Sequence, residues 1–291
     1  MSEQAIYGDT AYYGVELINR SGNGALPVGE HDFAEAMDRC VLVDKTMFIA
    51  DVLDADASVV ACCRPEGFGK SMNLSMLKAF LERPTVGQVD WGLFAGSQIW
   101  DADGGRYRDE FARYPVLSLD FSGAARCSAS VVGVVRDALS GECARLLCLG
   151  ARIYPETRYA TSTRCAWLTS EAELPRCRIL IELLEMAYDE QVVLLVDGYD
   201  AAWLSCFAMR ALVAPVRQTC STTCCLTPLP LRAFATLGYD GEHPAPAETA
   251  LSLRGCSYCV DSAFGVCDRW FGFSDGEFGL CWAMLDARNT G

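Results

Sequence analysis

An α/β fold with a mostly parallel sheet flanked by helices, and an irregular C-terminal part, is predicted by three observations. Apolar runs alternate with helical stripes along the chain, the pattern of strands joined by crossover helices. The run "VVLLV" at 192–196 has five consecutive aliphatics closed by Asp197, as in a strand covered on both faces. The run "SVVACC" at 58–63 passes directly into the glycine-bearing turn "RPEGFG" and then into a helical pattern.

Residues 1–25 contain "NRSGNGA" and read as a flexible leader. A domain core is expected over 26–218, and 219–291 reads as an irregular continuation of the same domain with one late strand. Within the core, "KTMFIADVLDAD" carries Met47, Phe48, Val52 and Leu53 at helical spacing and leads into the strand at 58–63. Met72, Leu74, Met76, Leu77, Phe80 and Leu81 then form a helical stripe from Ser71, so the turn sits at a helix N-terminus. "YPVLSLDFS" at 114–122 has the short apolar character of a buried strand, whereas 129–149 and 170–188 are helix-like. Residues 219–248 are proline-rich and predict no regular element. The late strand is expected at "TALSLRG", 249–255.

The 291 residues suffice for one large α/β domain or two small ones, and 51% hydrophobic against 21% charged residues argues against intrinsic disorder. A net charge of −14 argues against broad binding to nucleic acid or an anionic membrane, both of which need clustered Lys and Arg. No window is apolar enough to span a membrane, and the N-terminus lacks the basic start and apolar stretch of a secretory signal, so a cytoplasmic location is expected. The 16 cysteines are scattered through strand-like and helix-like segments and are expected to be reduced core residues. Cys256, Cys259 and Cys267 approach a metal spacing, but no second CxxC accompanies them and the only histidines are His31 and His243.

The turn has the parts of a phosphate cradle. Gly67 and Gly69 permit backbone angles closed to other residues, Lys70 can reach β- and γ-phosphates, and the Ser71 hydroxyl can coordinate Mg. The pattern GxxxxGK[ST] asks for glycine at 64, where this chain has Arg64, so the match is partial; Lys70 as a solvated cap-region charge is the alternative. A nucleotide site also needs an acidic group at the C-terminal end of a neighbouring buried strand, and Asp197 supplies it.

Together these segments resemble the AAA-ATPase-like domain family, bacterial P-loop proteins often fused to a PD-(D/E)XK nuclease-like domain. "LPVGEHDFAEAMDRCVLVDKT" is similar to the family's opening, with Asp44, Lys45 and Thr46 matching its VDKT. "CRPEGFGKSMNLSMLKAFLE" is similar to RPRRFGKSLxLSxLKAFFE, in which arginine at position 64 is normal. "VVLLVDGYD" matches the segment usually read as IDEYD, "LSLRG" resembles an LTG strand, and "WFGFSDGEF" resembles FGFTEEE. The resemblance implies a P-loop NTPase-like fold binding ATP and Mg, with Arg64, Gly67, Phe68, Gly69, Lys70 and Ser71 around the nucleotide and Ser71 and Asp197 at the metal.

Three departures matter. Glu66 and Gly67 replace two arginines, Gly198 replaces the Walker B glutamate, and Arg254 replaces the LTG threonine. Only a short stretch follows "FGFSDGEF", so the nuclease-like domain is expected to be absent. The expected function is Mg-ATP binding with weak or lost hydrolysis, Asp200 being the one substitute base considered. The alternative is a degenerate, non-enzymatic protein-interaction module that no longer binds nucleotide, whose protein partner the sequence does not identify.

Overall fold

The computed structural model describes residues 16–20, 25–55, 59–64, 67–84, 89–121, 188–198, 232–238, 258–261 and 277, with isolated helical residues between 137 and 145 and between 181 and 185. Most of the expected helices at 129–149 and 170–188, and the whole of 249–255, lie outside the described residues.

The described residues combine strands and helices in an α/β fold. In chain order they are β1 (Leu17–Asn19), α1 (Phe33–Arg39), β2 (Val41–Val43), α2 (Phe48–Asp54), β3 (Val59–Arg64), α3 (Lys70–Leu81), α4 (Gln98–Asp101), β4 (Val116–Asp120), β5 (Val193–Asp197), β6 (Arg232–Gly238) and β7 (Tyr258–Asp261). β1 and β2 form a small antiparallel pair, so part of the expected leader is held in a sheet. The other five strands form one sheet in the order β4-β5-β6-β3-β7, and every described pairing in it is parallel.

β6 departs from the sequence reading, which expects no regular element between 219 and 248. It is a central strand between β5 and β3. Its segment "RAFATLG" has few β-branched residues, so its own propensity is weak; ladders on both sides hold it extended.

Alternation along the strands identifies the face on which α3 packs. Val193 and Leu195 of β5, Val116 of β4, and Val60 and Cys62 of β3 share a buried cluster with Leu74, Met76, Leu77, Phe80 and Leu81 of α3. Leu194 and Val196 are equally buried but outside that cluster, as expected for a strand covered on both faces. Phe80 and Phe94 meet edge to face at 5.0 Å, and Phe33 stacks on Phe94 at 5.5 Å, joining α1, α3 and the segment before α4. Cys40 and Cys62 are buried in this core.

β4 lies at an edge of the sheet, where unpaired backbone groups need partners. Glu142 accepts the Ser118 N–H at 2.9 Å, and Arg145 donates to the Val116 carbonyl at 2.9 Å. Arg145 also donates to Glu142 and pairs with Glu82 just beyond α3. One side-chain pair thereby closes the edge and ties it to the helix.

The "VDKT" segment is an internal clamp. The buried Asp44 carboxylate accepts from Thr46 N at 2.9 Å, Thr46 Oγ1 at 2.6 Å and Gln98 N at 2.8 Å, while Thr46 Oγ1 accepts from Ile99 N at 3.1 Å. Residues distant in sequence therefore satisfy the first N–H groups of α4. Lys45 pairs with Glu277 at 3.3 Å, their side chains only 12% and 11% exposed, and so joins the opening segment to "FGFSDGEF". Asp44→Ala should lower stability by about 3 kcal/mol, because it orphans buried donors; a denaturation midpoint unchanged from that of the unaltered chain would refute the clamp.

Candidate functional site

A run of exposed backbone leads into α3. Gly67 (φ 82°) and Gly69 (φ 76°) are both left-handed, with exposed Phe68 between them. Nothing lies within 4 Å of where a Cβ would stand on either glycine, so what selects glycine there is the backbone angle and not crowding. Gly69 is the N-cap residue and brings no side-chain acceptor to the first turn, which also contains no acidic residue. The first residue of the helix is Lys70, a cation at the positive end of a 12-residue helix. Such a placement opposes the helix dipole unless an anion shares the site.

Because all five strands are parallel, the turn after β3 and the last residue of β5 emerge at the same edge of the sheet. Asp197, half-buried, is that last residue. Counting alternately from Val193 and Leu195 places it on the α3 face, the face toward which the turn leads. The sequence reading expects its strand beside β3; the structure inserts β6 between them, so the two strands are about 10 Å apart, two strand spacings.

The register adds positions that the sequence reading does not identify. Asp120, the exposed end of β4, is the partner of Asp197. In β6, Thr236 is the partner of Cys62, and Ala235 of Val196, so Thr236 stands level with Asp197. Only parallel pairing reveals these juxtapositions, since the residues are far apart in sequence.

Of the expected site residues, Gly67, Phe68, Gly69, Lys70 and Ser71 fall together in the turn and first helical residues, Arg64 closes β3, and Asp197 stands at the same edge. Gly198 follows Asp197 with φ 63°. Glu66, Asp200 and Arg254 lie outside the described residues. Among the described residues no group of three or more His, Cys, Asp or Glu is placed to hold a metal ion, and no helix is long and apolar enough to cross a membrane.

Gly69→Ala should cost about 1–2 kcal/mol through backbone strain alone, since space for the methyl is open. An unchanged denaturation midpoint would show that the turn tolerates another conformation.

Neither the curated proteins nor the solved structures contain a significant match to this chain. The family model described as predicted AAA-ATPase matches residues 27–224, which take in the turn, α3 and β5. With more than half of its length so matched, and with turn, helix and acid-ended strand converging at one sheet edge, the chain belongs to the AAA-ATPase-like family.

Proposed function

We propose that the chain binds Mg-ATP at the carboxyl edge of its parallel sheet and hydrolyses it weakly or not at all. The observation that carries this reading is the left-handed Gly67 and Gly69 turn at the N-terminus of α3, on the same edge and face as Asp197. Backbone N–H groups of the turn would cradle the phosphates, assisted by Lys70 and by Arg64 and Phe68 beside them. The Ser71 hydroxyl and the Asp197 carboxylate are hard oxygen donors, suited to Mg. The metal would neutralise phosphate charge; the chain's own part is to bind and orient.

The choice of ATP rests on membership in the family. Gly198 supports slow turnover, because glycine can neither accept a proton nor orient water where the family has glutamate. A positioned general base is worth ~10²–10⁴ in rate. A module without nucleotide binding is the competing reading, favoured by the acidic Glu66 in the turn.

Calorimetric titration of Mg-ATP separates the two. Lys70→Ala should weaken binding roughly 10- to 150-fold, the equivalent of losing one charged hydrogen bond of about 1.5–3 kcal/mol. Undiminished affinity in that variant, or no binding by the unaltered chain, would refute the phosphate cradle.

A further inference from the structure

The strand beside β5 ends in a second carboxylate, Asp120, to which the Mg-ATP reading above gives no role. β4 and β5 are paired in register from Val116↔Val193 to Asp120↔Asp197, so the two aspartates close adjacent parallel strands. Adjacent strands lie about 4.8 Å apart, and residues paired in register share a face. Val116, two pairs earlier, packs in the cluster with α3, which puts Asp120 as well as Asp197 on the helix face. Phe121 N donates to the Asp197 carbonyl at 2.8 Å, extending the ladder past both residues and fixing their relative height.

The two carboxylates differ in exposure. Asp197 is half-buried at the end of a strand with neighbours on both sides, whereas Asp120 is exposed. A half-buried carboxylate suits a metal, and an exposed one can be reached by water. The outer edge of β4 is itself held, through Ser118 N to Glu142 and the Val116 carbonyl to Arg145. Asp120, two residues beyond Ser118, therefore stands on a strand fixed along both edges, as a group that must hold a water in one place requires.

Resting on the Mg-ATP reading above, we propose that Asp120 is the general base for what hydrolysis the chain retains, taking the role that Gly198 cannot fill. Its carboxylate accepts a proton from water as the oxygen bonds to the γ-phosphorus. The bond from that phosphorus to the β–γ bridging oxygen breaks, and its electron pair leaves on the diphosphate. Aspartate is one methylene shorter than glutamate and stands on the adjacent strand, so turnover is slow.

The test measures Mg-ATP binding by calorimetry and phosphate release at saturating nucleotide on the same preparations. Asp120→Asn should leave the dissociation constant within about threefold while lowering release ~10²-fold or more. Asp120→Glu, which keeps the carboxylate, should retain release and so separates loss of the base from loss of the fold. Asp38→Asn, an exposed change on α1, should leave both readouts unaltered. Release that survives in Asp120→Asn, or that Asp200→Asn abolishes instead, would overturn the assignment. Binding with no release by the unaltered chain would overturn it too, yet leave the nucleotide site standing; absence of binding would remove both.

Discussion

Every described pairing in the five-stranded sheet runs in one direction, and the arrangement of the candidate site depends on that constraint. A parallel strand cannot return by a hairpin, so a crossover must carry the chain back, and the carboxyl ends of all the strands gather at one edge. There the turn after β3 shares an edge with the ends of β4, β5 and β6 although these lie far along the sequence. Antiparallel pairing of β5 would carry Asp197 to the opposite edge with no change in composition. The chemistry available here is thus a consequence of strand direction first and of residue identity second.

The same sheet sets what must be stabilised around it. An edge strand such as β4 leaves backbone donors and acceptors without a ladder, and Glu142 and Arg145 meet them with a charged pair that also reaches Glu82 beyond α3. Inside the core, Asp44 and Thr46 replace the missing backbone partners at the start of α4. Both devices satisfy backbone groups with side chains from elsewhere in the chain. Tyr107 is a smaller case: burial, with its hydrogen bond to Asp54, pushes its phenol up to about 12, so the hydroxyl stays a donor.

How much of this was legible in the sequence varied with how local the information is. The strand–turn–helix unit from Val59 to Leu81 was readable, because two glycines, a helical stripe and an apolar run lie side by side. β5 was readable from its unbroken aliphatics, and β4 from "VLSLD". β6 was not, since alanines and one threonine carry little strand signal, and its extended shape comes from neighbours on both sides. The closure of "RAFATLG" by glycine is the one local cue that could have marked it. With β6 unseen, Asp197 could be assigned to the right edge but not to its distance from the turn. The register of Asp120 with Asp197 was likewise invisible, because pairing between residues 77 positions apart has no local signature.

On the Mg-ATP reading proposed above, Gly198 stands where the family has glutamate, and such a change is more than the deletion of a side chain. Its φ of 63° lies in the left-handed region, which costs a non-glycine residue of order 1–3 kcal/mol. A glutamate placed there must either accept that strain or turn the backbone, and turning it would swing the chain after Asp197 in a new direction. On that reading the glycine lacks the carboxylate and also holds a backbone angle that glutamate would resist. A base on the adjoining strand escapes this coupling, because Asp120 is held by its own ladder and by the clamped edge of β4. Where a catalytic group sits in such a sheet is then governed by which strand ends remain rigid, and the ends of β4 and β5 are tied to one another beyond the last aspartates.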